Sequence, residues 1–521
     1  MQPLKEMKGE KIDSYGQVSI YEGFPFFFYD VNEPPFTESE KIISESLTNL
    51  IKGKWSFDEV QSQLKDFFSK DFMVQFREKI INNLTYNDAM EVLLSTDDLN
   101  ALKFVFISIL KEFFPSVSNY NLLANQILSD SIGYGRLQVF LSDENLEEVM
   151  VNGYEKPIFV FHKRYGTCKS NVYYSDKKSL DLLLSKVAKT VGRTFDADHP
   201  LLDARLPDGN RSNATFSFVT PFGPSLTIRK FSKSPLSIID LIAKNTISAE
   251  LAAFLWAMVE GMNIEPMNKI ITGGSGSGKT TTLNALSSFI RFPDRVISIE
   301  DTLELHLGSR QNWVQMEARP KMKGQEGTSM DDLLKNAMRM RPDRLIVGEV
   351  RGQEAETLFV AMDTGHRGCL GTLHSNSSKE LIIRLKSHPM NVPDSLISLL
   401  DLVIVQYRAY VAGKGIERRI LHVTEVSSMD GKPLLSNIYE WDRSSDTAKR
   451  TNVPMRMIES LAEKLMKNKK DVEREIKVRQ KILEWMLDNN IRAMSDVETV
   501  IQRYYYNPES ILREVLPKDL T

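Results

Sequence analysis

The sequence predicts an α/β protein whose larger part is a parallel, doubly wound sheet with a phosphate-binding loop. Three observations carry this prediction. A glycine-rich motif stands between an apolar strand and a helix over residues 268–290, strands and helices then alternate to about residue 408, and two of these strands have a glutamate at or next to their last position. Alternation of strand and helix is typical of parallel sheets, which bind ligands at the carboxyl ends of their strands.

The length and composition limit the classes of protein to consider. A chain of 521 residues is too long for one core, so two to four domains are expected. The hydrophobic fraction of 42% and the charged fraction of 26% are ordinary for a globular protein. The net charge of −3 argues against a dedicated nucleic-acid-binding protein, so no nucleic acid is expected among its partners.

The cysteines and apolar segments bear on location. The two cysteines, Cys168 and Cys369, are too few for a disulfide framework or a four-cysteine zinc site, which favours a reducing cytoplasm. The first residues lack the apolar segment of a secretory signal. The longest apolar runs, 24–29 and 102–114, are too short to cross a bilayer. We therefore expect contact with a membrane only through a partner.

The first half of the chain is predicted to contain two modules. Residues 1–116 are predicted to be mainly helical, with Thr37 and Glu40 at the spacing of a capping box that begins a helix. Residues 117–231 are predicted to form an α+β module, because short strand-like runs surround a helical segment there. The segment 232–236, which contains serine and proline, is predicted to be a linker.

The second half is predicted to be the nucleotide-binding domain and an extension of it. The domain is assigned to residues 237–430, with buried strands predicted over 268–272, 295–300, 344–350, 369–374 and 401–408. Helices between these strands favour a parallel sheet covered on both faces. Residues 431–521 are predicted to complete a hairpin that turns at 429–432 and to continue as a helical extension.

The motif GGSGSGKT carries most of the functional information, because it fits the G-x-x-x-x-G-K-[ST] pattern of phosphate-binding P-loops. Strand, glycine-rich loop and helix in this order direct backbone N–H groups at phosphate oxygens. Lys279 is expected to reach the β- and γ-phosphates of ATP, and the Thr280 hydroxyl to bind Mg²⁺. The predicted nucleotide-binding residues are Gly273, Gly274, Ser275, Gly276, Ser277, Gly278, Lys279, Thr280 and Thr281.

Two strand-end glutamates are candidates for the chemistry that a P-loop alone does not provide. Glu300 ends the strand RVISIE, where a carboxylate could activate the attacking water, and Asp301 and Glu304 follow it. Glu349 is the last residue but one of RLIVGEV, which has the form of a Walker B segment, although Gly348 stands where the usual aspartate is found. Glu349 is expected to act on Mg²⁺ through water.

Histidines and arginines provide weaker signals. His366 and His374 flank the strand GCLGTL, and a histidine at a strand end can contact a phosphate, although a single histidine is more often structural. Zinc binding is not expected there, because no second metal-type pair accompanies them. Arg205, Arg211 and Arg229 are candidates for neutralising transition-state charge across an interface, although exposed arginines are more often plain surface.

Together these segments resemble the traffic ATPases of type II and type IV secretion systems, over roughly residues 120–430. GGSGSGKTTTLNAL looks like the Walker A segment of that family and ISIEDTLEL like its acidic box. RPDRLIVGEVRGQEA is similar to its Walker B region and TGHRGCLGTLHSNS to its histidine box. A glycine in place of the Walker B aspartate is usual in the family, so Gly348 supports the resemblance.

Within the family the archaeal branch is most similar. DSIGYGRLQVFLSDENLEEVMVNG and YEGFPFFFYDVNEPPFTESE resemble the front of archaeal members, and RQKILEWMLDNNIRAMSDVETVIQRYYYNPESIL resembles the C-terminus of the archaellum motor ATPase. An archaeal pilus-assembly ATPase would fit these segments equally well. The chain lacks the four-cysteine zinc module that bacterial type II assembly ATPases carry.

The resemblance implies a RecA-like ATPase domain in a ring-shaped homohexamer at the cytoplasmic face of a membrane. Such a machine would act through a polytopic membrane platform protein. The N-terminal α+β module would rotate as a rigid body about the 232–236 linker during ATP turnover.

The resemblance also implies roles for single residues. Glu300 would be the general base, with Glu304 as a substitute, and Glu349 would be the Walker B acid. His374 would sense the γ-phosphate. The family's arginine fingers lie in the region that matches Arg205, Arg211 and Arg229. Two of these three arginines would act on ATP.

Four functions remain open from the sequence. The first is a mechanochemical ATPase that drives assembly of a surface filament, with or without rotation. The second is assembly of archaeal type IV pili or protein export by the same chemistry. The third is a nucleic-acid-translocating RecA-like motor, against which the near-neutral charge weighs. The fourth is a nucleotide-gated switch with little turnover.

Overall fold

The computed structural model divides the chain into two compact units, Met1–Ser232 and Lys233–Thr521. The division falls inside the segment predicted as a linker, 232–236. Each unit contains its own nine-stranded sheet. The structure describes residues 6–32, 36–52, 54–64, 96–220, 222–231, 235–319, 327–411, 415–429 and 431–515.

The first unit is built on a mostly antiparallel sheet. Its strands are β1 (Met7–Tyr15), β2 (Val18–Phe24), β3 (Phe27–Val31), β4 (Leu146–Val151), β5 (Pro157–His162), β6 (Gly166–Tyr173), β7 (Leu201–Arg205), β8 (Arg211–Thr215) and β9 (Ser225–Arg229). They lie in the order β1-β2-β3-β6-β5-β4-β9-β8-β7, and only the β3–β6 pair is parallel. Strands distant in sequence are therefore neighbours in this sheet.

The prediction of a mainly helical module over 1–116 is wrong for its first part, because β1–β3 extend the sheet of residues 117–231. Buried polar contacts attach these strands. Tyr15 and Tyr29 donate to Asp143 Oδ2 over 2.9 and 2.7 Å. Burial, together with the charge of Asp143, raises the pKa of both tyrosines, so they stay protonated donors.

Four of the helices described in the first unit form a core separate from that of the sheet, and the other two, Gln138–Ser142 and Lys177–Thr190, pack in the core of the sheet. The described helices are Glu38–Ile51, Phe57–Leu64, Thr96–Phe113, Tyr120–Ser131, Gln138–Ser142 and Lys177–Thr190. The predicted capping box is present, because Glu40 N donates to Thr37 Oγ1 over 3.2 Å and Thr37 N donates to Glu40 Oε2 over 2.9 Å. Glu40 Oε1 accepts from Ser118 N over 2.8 Å, which joins this helix start to a second segment. The predicted helical pattern over 65–95 lies outside the described residues.

The second unit confirms the predicted α/β fold. Its strands are β10 (Lys269–Gly273), β11 (Val296–Glu300), β12 (Trp313–Glu317), β13 (Arg344–Val350), β14 (Leu370–Leu373), β15 (Leu402–Val411), β16 (Gly415–Met429), β17 (Lys432–Asp442) and β18 (Thr447–Arg450). Their order is β12-β11-β13-β14-β10-β15-β16-β17-β18, and the pairs from β12 to β15 are all parallel. The five predicted core strands are present.

Two details of the second unit differ from the sequence prediction. The strand β12 was not predicted, because WVQME is short and only half-buried at four of its five positions. The hairpin of β16 and β17 continues the same sheet, with Met429 paired to Lys432, so the sheet runs across the boundary predicted after residue 430. Sheet pairing across a turn is a tertiary feature that the chain pattern alone does not specify.

The helices of the second unit cover both faces of its sheet and one another. The described helices are Ile238–Ala243, Ala249–Glu260, Lys279–Ser287, Met330–Ala337, Glu354–Asp363, Ser378–Lys386, Asp394–Ile397, Arg456–Lys464, Lys469–Asp488, Met494–Tyr506 and Pro508–Val515. None of the helices in the described ranges has the length and apolar character needed to cross a bilayer.

The C-terminal helices belong to the core of the second unit. Arg479, on Lys469–Asp488, forms a buried ion pair with Glu260 over 3.0 Å, and its guanidinium lies over the Trp256 ring at 5.3 Å from the centroid. Trp256 also donates to Tyr505 Oη over 2.5 Å. Removal of the tail would therefore expose the apolar helix Ala249–Glu260.

Candidate functional site

The P-loop connects β10 to the helix Lys279–Ser287. Gly276 and Gly278 have φ values of +68° and +92°, a left-handed conformation that L residues with a side chain rarely adopt. A Cβ on Gly273 would lie 2.2 Å from the carbonyl oxygen of Gln406 on β15. The glycines of the motif are thus required by backbone conformation at two positions and by close packing at a third.

The polar groups of the loop converge on its mouth. Lys279 Nζ donates to the carbonyl oxygens of Gly273 and Gly274 over 3.0 and 3.1 Å. Ser277 Oγ is buried and has no hydrogen-bond partner among the residues that the structure describes. Thr280 and Thr281 follow Lys279 in the first turn of the helix.

These features fit the phosphates of ATP and a Mg²⁺ ion. At Gly274 the nearest atom to an added Cβ, Asn376 Oδ1, is 3.7 Å away, so the loop leaves an open cradle there. The loop also offers a lysine ammonium group, a helix N-terminus and the Thr280 hydroxyl. These are the groups that bind phosphate and magnesium in P-loop proteins.

The sheet topology brings the predicted acids and His374 to the same edge as the P-loop. β14 pairs with β10 on one side and with β13 on the other, and β13 pairs with β11, all in parallel. Their carboxyl ends therefore lie side by side. Glu300 is the last residue of β11, Glu349 the next to last of β13, and His374 directly follows β14.

Glu300 is 1% exposed, and burial is the main reason that its pKa is raised to about 7. Its Oε2 accepts from the backbone N–H groups of Glu304 and Leu305 over 2.7 and 2.9 Å. Its Oε1 has no hydrogen-bond partner within the described part of the chain. One oxygen is thus held by the backbone, and the other remains available to exchange a proton near neutral pH.

Position 348, where a Walker B segment usually has an aspartate, leaves no room for a side chain. A Cβ on Gly348 would lie 2.9 Å from Glu300 Cγ and 3.4 Å from Glu300 Cβ. A side chain at position 348 would therefore collide with the Glu300 side chain. The departure from the usual Asp-Glu pattern is a packing requirement of Glu300.

Glu349 pairs with Arg351, whose Nη2 lies 2.5 Å from Glu349 Oε2. Burial opposes ionisation of Glu349, but the Arg351 hydrogen bond and the charges of Arg351 and Lys279 hold its pKa below the ordinary value. Glu349 is therefore a carboxylate at neutral pH and can bind a cation directly or through water. The sequence reasoning did not single out Arg351, although it stands two residues after Glu349.

His374 is half-buried, and burial together with the Lys279 charge lowers its pKa. Its ring is therefore neutral at pH 7. The next residue is fixed to the P-loop strand, because Ser375 N donates to Thr272 Oγ1 over 3.0 Å. His366 instead precedes β14, and the two ends of a strand lie at opposite edges of a sheet. The structure does not bring His366 to the P-loop.

The three predicted arginines lie in a row on the first unit. Arg205 on β7 is the Cα partner of Arg211 on β8, and Arg211 is the Cα partner of Arg229 on β9. Directly opposed residues point to the same face of a sheet, so the three side chains share one face. Arg211 also forms an ion pair with Asp203 over 2.9 Å. This row was not visible in the sequence, because register cannot be read from it.

Comparison with known proteins agrees with the site. The sequence profile described as "Type II/IV secretion system protein" matches residues 134–504. The uncharacterized protein MJ0781 of Methanocaldococcus jannaschii is 32% identical, over 73% of this chain and 76% of that protein. The conjugal transfer protein TrbB of Rhizobium radiobacter is 29% identical, over 57% of this chain and 89% of TrbB.

Solved structures with related folds were also found. The pilus retraction motor PilT with bound ADP is 17% identical with a TM-score of 0.38, covering 73% of this chain and 95% of PilT. The VirB11 ATPase of the Brucella suis type IV secretion system, in complex with sulphate, is 24% identical with a TM-score of 0.28, covering 56% and 92%. Because these TM-scores are low, the family assignment rests on the sequence matches and not on the structural ones. Because the profile spans well over half of its length, the chain belongs to the family of type II/IV secretion system proteins.

Proposed function

We propose that the chain is an ATPase that hydrolyses ATP to power assembly, with or without rotation, of an archaeal surface filament. The observation that carries the proposal is the meeting of the P-loop, Glu300 and Glu349 at one edge of a parallel sheet. A phosphate-binding loop, a carboxyl group with a pKa of about 7 and an ionised carboxylate are the groups that nucleotide hydrolysis requires.

In the proposed reaction the P-loop N–H groups and Lys279 bind the β- and γ-phosphates. Glu300 accepts a proton from the attacking water, and its raised pKa makes it a stronger base than an ordinary glutamate while leaving much of it ionised at pH 7. Glu304 is the alternative base. Its backbone N–H already holds Glu300, which favours a supporting role for this residue.

Mg²⁺ would be held by the Thr280 hydroxyl and, through water, by Glu349, and when bound it would neutralise charge on the phosphate oxygens. His374 is proposed to contact the γ-phosphate as a neutral donor. The lowered pKa of His374 supports this role, because a neutral ring distinguishes ATP from ADP by hydrogen bonding rather than by charge.

Two of Arg205, Arg211 and Arg229 are proposed to act as arginine fingers in a homohexamer. Their register across β7, β8 and β9 supports action as a group, because it presents three guanidinium groups on one face. The α+β module that carries them is proposed to move about the 232–236 linker as nucleotide turns over.

The proposed partner is a polytopic platform protein in the cell membrane, with the ATPase at its cytoplasmic side. The resemblance of the front and tail segments to archaeal members supports an archaellum or pilus machine. Assembly of type IV pili or protein export is the second candidate, which the match to the type II/IV secretion system profile favours. A nucleic-acid motor is less favoured than either, and addition of single-stranded DNA is expected to leave ATP hydrolysis unchanged.

The decisive experiment replaces Lys279 by alanine in the native organism and scores swimming and surface filaments by electron microscopy. Loss of both motility and the motility filament would support the archaellum assignment. Intact swimming with missing pili would support the pilus alternative. Wild-type swimming together with wild-type filaments of both kinds would contradict both. Lys477→Ala, at an exposed lysine on Lys469–Asp488, is the matched control.

A further inference from the structure

Three side chains from β15 and β16 enclose the outer side of the P-loop. Gln406 and Arg408 are two positions apart on β15, and Arg418 on β16 is the Cα partner of Arg408. Residues two apart on a strand and residues directly opposed across two strands share a face of the sheet. Gln406 is also the Cα partner of Gly273, the first residue of the loop.

The guanidinium groups contact the middle of the loop. Arg418 Nε donates to the carbonyl oxygen of Gly276 over 3.0 Å. A Cβ added to Gly276 would lie 3.0 Å from Arg408 Nη1, so the second arginine packs against the same residue. The most exposed part of the loop is thus held by residues about 130 to 140 positions further along the chain.

Gln406 connects the end of the loop to the first turn of the helix. Its side chain is 2% exposed, and its Oε1 accepts from Thr282 Oγ1 over 2.9 Å. A Cβ on Gly278 would lie 3.1 Å from Gln406 Nε2 and 3.1 Å from Arg418 Cδ. Gln406 and Arg418 therefore both pack against the glycine that precedes Lys279.

The peptide between Gly276 and Ser277 shows what the Arg418 contact does. In a planar trans peptide the carbonyl oxygen and the following N–H point in opposite directions. Arg418 holds the Gly276 carbonyl outward, so the Ser277 N–H points into the loop, where it donates to the Gly274 carbonyl oxygen over 3.3 Å. A cationic donor on the carbonyl also polarises the peptide and strengthens the N–H as a donor.

We propose that Arg418 and Gln406 are positioning residues that hold the P-loop in its phosphate-binding conformation. The proposal rests on the proposed function, because it assumes that the loop binds ATP. Glycines lose more conformational freedom on ordering than other residues, so a loop with four glycines binds phosphate tightly only if neighbouring groups order it beforehand. Arg418 orders its middle, and Gln406 orders its junction with the helix.

The test measures ATP hydrolysis and ADP binding in the purified full-length protein. Arg418→Ala is expected to raise both the KM for ATP and the Kd for ADP about ten- to a hundredfold, the effect of losing one charge-assisted hydrogen bond. The kcat at saturating ATP should change little, because loop order affects ground state and transition state alike. Arg418→Lys should restore part of the affinity, since its ammonium group can also donate to the carbonyl.

Controls separate positioning from general stability and from the proposed function. Arg474→Ala, at an arginine whose side chain is 76% exposed, should match the wild type. Gln406→Leu and Thr282→Val should each raise KM, and the double variant should be no worse than the stronger single one. If Arg418→Ala does not fold, Arg418→Lys and Arg418→Gln provide the same comparison.

Two results would overturn the positioning role. In one, Arg418→Ala lowers the melting temperature while KM and the Kd for ADP stay at wild-type values. In the other, kcat falls with KM unchanged, which would place Arg418 in the transition state. A wild-type protein that neither binds nor hydrolyses ATP would instead contradict the proposed function itself.

Discussion

The Glu300 side chain packs against Gly348, with its Cγ 2.9 Å from the position that a Cβ on residue 348 would occupy. The neighbouring strands β11 and β13 accommodate Glu300 only because position 348 carries no side chain. The acid at the end of β11 and the glycine in the Walker B segment are therefore one structural feature, and a change in either should affect the other.

Gly348→Ala is expected to lower kcat about tenfold to a hundredfold with little change in the KM for ATP, because it displaces Glu300 from the attacking water. Steady-state ATPase assays measure both constants. Gly371→Ala on β14 is the matched control, since its nearest atom would be 3.4 Å away, an ordinary contact. Wild-type kcat in Gly348→Ala would show that the position of Glu300 does not limit the reaction.

Lys279→Ala is expected to abolish measurable hydrolysis and to weaken binding of a fluorescent ATP analogue. The ammonium group lies at the mouth of the loop, where it contacts the Gly273 and Gly274 carbonyl oxygens, and its loss removes the charge that faces the phosphates. Turnover at the wild-type rate in this variant would contradict the assignment of the P-loop.

Glu300→Gln is expected to bind ATP and to hydrolyse it about 10² to 10⁴ times more slowly, the usual loss when a general base is removed. With a pKa of about 7, Glu300 becomes ionised as pH rises, so wild-type kcat should rise through about pH 7 and then level off. This expectation is tested by measuring kcat from about pH 5.5 to about pH 9, a range that extends to both sides of that pKa. A wild-type profile that is flat across neutral pH would exclude Glu300 as the base.

The pH dependence of the melting temperature tests the environment of Glu300 independently of catalysis. The pKa of Glu300 is about 7 in the folded protein and 4.5 in an ordinary carboxyl, so the folded state binds the proton more tightly. The stability contributed by protonation is fully present below pH 4.5 and is lost as pH rises to about 7. The Tm of Glu300→Gln relative to wild type should therefore rise between these values and stay constant above them. A difference in Tm that does not vary with pH would show that the carboxyl is not desolvated.

The arginine row can be tested in mixed assemblies. If Arg211 acts on ATP bound to a neighbouring subunit, rings that contain Arg211→Ala and Glu300→Gln subunits should regain activity where an intact pair of subunits forms. Separate preparations of each variant should be inactive. Activity that is a simple average of the two preparations would indicate that Arg211 does not act between subunits, and Arg205 and Arg229 can be compared in the same way.

The sequence predicted most of the proposed nucleotide site, because its parts are local. The P-loop is contiguous, and Glu300, Glu349 and His374 each stand at the end of an apolar run that becomes a strand. Parallel strands share one carboxyl edge, so correct strand assignments were sufficient to bring these side chains together. The same reasoning does not place His366 with them, because His366 stands at the amino end of β14 and therefore at the opposite edge of the sheet.

By itself, the sequence determined the chemistry of the site and the alternation of strands and helices, since periodicity and motif spacing depend on near neighbours in the chain. Only the tertiary structure decided that β1–β3 join the sheet of the first unit, that three arginines align, that Gly348 makes room for Glu300, and that Arg418 and Gln406 brace the P-loop. These relationships depend on strand register and on packing between residues tens to more than a hundred positions apart. No local pattern records register, because a shift of one residue leaves the composition of a strand unchanged and reverses the face of every side chain.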